Sequence, residues 1–357
     1  MRARGLIGLA LLTLAVVLLA VWASQAYRAR TAVEDRAHLL FPDLPQRFDA
    51  ARRIEVETAA GSITIEQADG HWRVREKYDW PADPTRVAGV LTGLADLRAL
   101  EPRTANPDRH ARLHLDAPSE PGSKALALRL LAAEDEVLAA ILIGERRGVA
   151  GDLPQFYVRR PGQAQTWLAE GPLEPARRAS LWLDDDLIDI PAERVCALQV
   201  RHAAGEMVHI SRPQGDAEPA LVNLPEAGAD AARVADPVRV RAALYGLQRL
   251  QLQDVVRPGE LAVDWAAAVE ARFETCDGLA VTVRSLPHQA ARYLRLEADA
   301  AAGSARQAEA ADLTARLDGL AFRVAPHPVS TFTGDLAHYL VREAEALGEA
   351  DGGGAER

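Results

Sequence analysis

Residues 83–97 read DPTRVAGVLTGLADL, and residues 236–250 read DPVRVRAALYGLQRL. Eight of these fifteen positions are identical at a fixed offset of 153 residues, from Asp83 to Asp236. So dense a match in so short a window marks an internal duplication. The shared residues have physical reasons. Asp83 and Asp236 are N-caps, which accept from free backbone N–H groups, and Pro84 and Pro237 supply a first helical residue whose φ is already set. Val87, Val90, Leu91, Leu94 and Leu97 then recur at spacings of three and four. Val240, Ala243, Leu244, Leu247 and Leu250 repeat that stripe position for position, so each helix is expected to bury one face on a sheet.

The flanks repeat too. Alternating runs at 53–58 and 62–67 enclose Ala59-Ala60-Gly61, and a third strand is expected at 71–76 after Asp69-Gly70. In the second copy, runs at 197–202 and 206–211 enclose Ala203-Ala204-Gly205. A Pro/Ala/Gly-rich insertion, 214–233, follows, with a further short strand expected at 220–224. After the first helix come expected strands at 124–131, 136–144, 155–160 and 165–170. After the second they fall at 269–275, 279–285, 291–297 and 321–324, with an inserted helix at 305–317 and a closing amphipathic helix at 333–347. The expected class is α+β: an N-terminal transmembrane helix followed by two duplicated units, each a mostly antiparallel sheet with a packed helix.

The chain has 357 residues, 48% of them hydrophobic. That length suits two domains plus appendages. Asp and Glu total 51 against 41 Lys and Arg, a net charge of −10. Such a balance argues against nucleic acid as a partner, because phosphate binding needs clustered cations. Residues 5–23 contain no charge. As a helix they would extend roughly 28 Å, the thickness of a hydrocarbon core. Leu6, Leu12, Val16 and Leu19 would face lipid, and Trp22 would sit at the interface. A cleaved signal peptide is the competing reading, with small residues at Ala23 and Ala26. The expected layout is a cytoplasmic stub at 1–4, an anchor at 5–23, a linker at 24–45, repeats at 46–190 and 191–343, and a disordered tail at 344–357. It places the chain in a bacterial inner membrane, single-pass, with its N-terminus cytoplasmic and its large domain periplasmic.

Little in the sequence points to chemistry. There is no GxxxxGK[ST] loop, no GxGxxG after a strand and no GxSxG elbow. His110 and His114 have i,i+4 spacing, yet lack the context of a metal-binding helix and read as solvated histidines. Asp184, Asp185, Asp186 and Asp189 form the densest acidic cluster, read as a charged junction between copies rather than a calcium loop. Cys196 and Cys276 read as two unrelated buried thiols, although an oxidising compartment would permit a disulfide. No catalytic, cofactor-binding or metal-binding residue is assigned.

The order of pieces resembles a known family. Leu40-Phe41-Pro42-Asp43-Leu44 precedes a strand pair and Tyr78-Asp79-Trp80-Pro81-Ala82-Asp83-Pro84. Leu97-Arg98-Ala99-Leu100-Glu101-Pro102-Arg103-Thr104 then leads to Trp182-Leu183-Asp184. Over residues 38–345 the chain is similar to the domain of unknown function 4340 family of bacterial envelope proteins. Members commonly accompany ABC-type transport systems of the gliding-motility kind. The resemblance therefore implies a non-enzymatic accessory role beside a permease and ATPase or other envelope proteins. It supplies no catalytic residues. The alternative is a periplasmic glycan- or ligand-binding module, with Trp72, Trp80, Trp167 and Trp182 as stacking surfaces if they converge in an open cleft.

Overall fold

The computed structural model describes residues 37–150, 153–213, 218–223 and 233–342. The expected span at 5–23, with Leu6, Leu12, Val16, Leu19 and Trp22, lies outside them, as do the stub 1–4, much of the linker and the tail 344–357. Among the described residues no helix is long and apolar enough to cross a membrane. The longest α-helix there, Pro84–Ala95, has twelve residues, about 18 Å, and buries one stripe against protein. The fold class is corrected accordingly: two large antiparallel sheets carry short helices, and no described helix spans a bilayer. The single-pass inner-membrane placement rested on that span alone and is withdrawn with it.

The chain divides into two compact units, up to Trp182 and from Leu183. The first contains β1 (His38–Leu39), β2 (Arg53–Thr58), β3 (Gly61–Ala68), β4 (His71–Val74), β5 (Trp80–Pro81), α1 (Pro84–Ala95) and β6 (Arg98–Pro102). It continues through β7 (Leu126–Leu131), β8 (Val137–Ala150), β9 (Leu153–Arg159) and β10 (Thr166–Glu170). The second begins with β11 (Asp186–Ile188), β12 (Val195–Arg201), β13 (Met207–Ser211), β14 (Ala220–Leu221), β15 (Arg233–Ala235), α2 (Pro237–Leu244) and β16 (Leu250–Val256). Then come β17 (Val269–Thr275), β18 (Leu279–His288), β19 (Ala291–Ala300), α3 (Gln307–Leu317), β20 (Ala321–Val324), α4 (Pro326–Ser330) and β21 (Leu340–Arg342).

The two sheets run β1-β6-β10-β9-β8-β7-β2-β3-β4-β5 and β11-β16-β20-β19-β18-β17-β12-β13-β14. Counted in chain order within each unit, the first nine places are the same. At the tenth, β15 pairs instead with β21 in a separate two-stranded ladder. Because β11 pairs with β16, the segment before Ile190 belongs to the second sheet, so the break falls earlier than residue 190.

Each sheet buries one face by strand alternation. Ile54 and Val56 of β2 face the first core while Arg53, Glu55 and Glu57 face outward. Leu198 and Val200 of β12 do the same in the second. The helix stripes close these cores: Val87, Val90 and Leu94 from α1, Val240, Ala243 and Leu244 from α2. Leu91 is only half-buried. Helix α2 stops at Leu244, so Leu247 and Leu250 reach the core from the following turn and from β16.

The expected closing helix is not found, while the expected inserted helix is. Residues 333–342, the described part of the expected closing helix, do not form one helix. A 3-10 turn, Leu336–Tyr339, leads directly into β21, because Tyr339 is buried and its successors pair with β15. Helix α3 is the inserted element, lying against β18 and β19 where the first unit has a tight turn between β9 and β10.

Candidate functional site

The N-caps hold each helix by the same set of bonds. Asp83 Oδ1 accepts from the backbone N–H groups of Thr85 at 2.8 Å and Arg86 at 3.4 Å. Asp236 Oδ1 accepts from Val238 at 2.9 Å and Arg239 at 3.2 Å. Each carboxylate also pairs with the arginine three residues on, Arg86 at 3.5 Å and Arg239 at 3.0 Å. Pro84 and Pro237 occupy the first helical positions. The Asp83 N–H donates to the Trp182 carbonyl, and the Asp236 N–H to that of Tyr339, both at 2.8 Å. Both aromatics are fully buried, and each polar tip donates to a nearby carbonyl: Trp182 Nε1 to Ala176, Tyr339 Oη to Thr331, at 3.0 Å each. All four cap residues thus serve the scaffold.

The residues singled out for chemistry are engaged in local structure. His110 is buried, with Nε2 2.9 Å from the Ala164 carbonyl. His114 sits at the left-handed end of a 3-10 turn. Asp184, Asp185 and Asp186 bring carboxylate oxygens within 4.8 Å of one another. Asp184 accepts from the Asp186 N–H at 3.1 Å, and Asp189 from the Arg249 N–H at 2.9 Å. Burial lowers the Arg316 pKa, while Asp184 and Asp186 work to raise it, so a guanidinium already answers this acidic run.

The tryptophans do not converge in a cleft. Trp80 and Trp182 are core residues, and Trp167 packs edge-on against His38 at 5.3 Å. One cavity of the first unit, about 680 Å³, has hydroxyls and carboxylates among its walls and no aromatic ring. It lies between the β2–β3 hairpin and the loop 118–122. A smaller groove of about 200 Å³ beside α1 has Trp182, Val90 and Pro172 in its walls, with Arg86 and Glu174 among its polar residues.

A family model described as domain of unknown function (DUF4340) matches residues 72–268. The chain belongs to that family. Neither the curated proteins nor the solved structures contain a match to it. The DUF4340 match runs from β4 to the turn before β17, so it takes in both caps and both helices.

This DUF4340 chain also contains a site that sequence reasoning missed. Cys196 and Cys276 form a disulfide with Cα atoms 5.1 Å apart, which corrects their reading as unrelated thiols. Adjacent strands β12 and β17 bring them together. Around them, Arg194 holds Glu309 through two bonds of 2.8 and 3.0 Å, and Asp277 at 3.1 Å. Arg306 pairs with Asp277 at 2.8 Å and Glu309 at 3.2 Å. The Arg194 hydrogen bond holds the Glu309 carboxyl below its ordinary range. Burial works to raise the Asp277 pKa, but hydrogen bonds from Thr275 and Arg194 outweigh it and the net shift is downward. This network fastens α3 to the two disulfide-bearing segments. The sequence signal was the near coincidence of Arg194-Val195-Cys196 with Cys276-Asp277, which becomes meaningful only once β12 and β17 are known to pair.

Proposed function

We propose that this chain works without turnover chemistry of its own, as a scaffold of two duplicated sheets that docks partner proteins. The partners proposed are the permease and ATPase of an ABC-type transport system, an assignment that comes from the family resemblance. The observation that carries the docking role is the strand order, built twice in one chain. Duplicated sheets give two related surfaces and short edge strands on which other chains can lie. The engagement of His110, Asp184 and Asp189 in local hydrogen bonds supports the same role.

Affinity purification of the tagged full chain from its own host tests the proposal. The expected result is a complex containing the transporter subunits, unchanged in His110→Ala and Asp184→Asn. Failure of permease and ATPase to co-purify would overturn the partnership. Loss of transport in either variant, with the protein folded and abundant, would overturn the non-enzymatic role.

A further inference from the structure

The cavity beside the β2–β3 hairpin differs in chemistry from the matching place in the second copy. Its walls include Glu55, Glu57, Glu120 and Arg129, with the side chains of Thr58, Ser62, Thr64 and Ser119 around them. Glu55 is neutralised twice, by Arg53 at 2.9 Å and Arg129 at 3.1 Å. Neither Glu57 nor Glu120 has an ion-pair partner among the described residues. The cavity therefore holds uncompensated negative charge in a concave space large enough for several groups of a ligand.

The duplication supplies an independent comparison. In the first sheet Glu55 stands opposite Arg129 and Glu57 opposite Ala127. In the second, Gln199 stands opposite Arg272 and Arg201 opposite Glu270. The shared arginine marks the register. Against that register, Glu55 corresponds to Gln199 and Glu57 to Arg201, so the second copy has lost one acid and reversed the other. The acids of its outer face are ion-paired: Arg272 with Asp299 and Glu274, and Arg284 with Glu270 and Glu297. One fold, with one strand order, thus carries a groove with unpaired acids in one copy and a face of ion-paired acids in the other. Folding needs common to both copies do not account for that difference.

We propose that the groove between the β2–β3 hairpin and residues 118–122 receives a basic, extended segment of a partner protein. Lysine or arginine side chains would meet Glu57 and Glu120, and the hydroxyls of Ser62, Thr64 and Ser119 would meet backbone amides. Charge complementarity selects the occupant, and the lack of an aromatic wall disfavours a sugar ring. The inference rests on the docking role proposed above and names the chemistry of the partner.

Fluorescence anisotropy with a labelled Gly-Arg-Ser-Arg-Gly peptide and the full chain at low salt tests it. The expected result is binding that the Glu57→Gln/Glu120→Gln double variant weakens about tenfold, the scale of two exposed charge pairs. The Gly-Gln-Ser-Gln-Gly peptide should not bind. The Glu297→Gln/Asp299→Asn variant, which removes two acids from the other copy, should bind as the parent does. Equal loss in that control would mean diffuse attraction to a chain of net charge −10, and would overturn the site. Unchanged binding in the Glu57/Glu120 variant would overturn it as well, as would spermidine binding as tightly as the peptide. If peptide binding fails while the transporter subunits co-purify, the groove assignment falls and the docking role stands; the converse result removes the role and leaves the groove.

Discussion

The Asp236 N–H donates to the carbonyl of Tyr339, so the start of helix α2 is fastened to a turn near the end of the described chain. Asp83 and Trp182 repeat the bond in the first unit. In both copies the cap residue does two jobs: its side chain closes the helix and its backbone ties the helix to a buried aromatic.

Removing a cap tests the first job. Asp236→Ala should cost about 0.5–2 kcal/mol, read as a lower urea midpoint with unchanged slope. Asp236→Asn should recover part of that, since it keeps the acceptor but loses the Arg239 pair.

Core substitutions should separate the two leucines at the same repeat position. Leu244 is 0% exposed, so Leu244→Ala should cost about 2–5 kcal/mol. Leu91 is half-buried, and Leu91→Ala should cost less. Equal losses in denaturation would contradict the described packing.

Two glycines, Gly89 in α1 and Gly246 in the turn after α2, should respond in opposite directions. A Cβ on Gly246 would fall 2.2 Å from the Phe332 ring, so Gly246→Ala should destabilise the second unit. A Cβ on Gly89 would meet nothing within 4 Å. Gly89→Ala should therefore stabilise α1 by about 0.5–1 kcal/mol, visible as a raised melting temperature.

The disulfide closes a separation of 80 residues. Reduction, or Cys196→Ser with Cys276→Ser, should cost about 2–4 kcal/mol. Calorimetry with and without reductant measures the loss, and the double variant should no longer respond to reductant.

Acid should weaken the α3 attachment. The folded-state pKa values of Glu309 and Asp277 lie below their ordinary values. Their contribution is full above about pH 5, where both states are ionised, and is lost as pH falls through the folded values. The stability gap between the parent and Glu309→Gln should therefore narrow on acidification. Urea titrations at a series of pH values check it; a constant gap would contradict the ion network.

The duplication was legible because capping and core spacing leave marks within a few residues. Strands β2, β17 and β20 were legible for the same reason, since alternation is local. Strands β6 and β16 were not. Each directly follows a helix stripe, so Leu250 looked like one more helical position until its ladder with β11 fixed it as strand. The region 333–347 misled because Phe332, Leu336, Tyr339 and Leu340 mimic helical spacing, while Tyr339 is held by the Asp236 bond and Leu340 by its ladder partner Ala235. The Cys196–Cys276 bond, the Arg194 network and the Glu57 cavity depend on which strands lie side by side, and no local window contains that information.

A chain that repeats one strand order faces a hazard during synthesis. Strands of the first copy have structural counterparts in the second, and the pairings of β2 with β7 and of β12 with β17 join segments far apart in sequence, which makes them slow to form. Mispairing between copies is the characteristic failure of such arrays. The cystine lies within the second unit, joining Cys196 of β12 to Cys276 just after β17. Once oxidised, it commits those two strands to each other and withdraws them from exchange with the first copy, so thiol oxidation acts as a checkpoint on correct assembly.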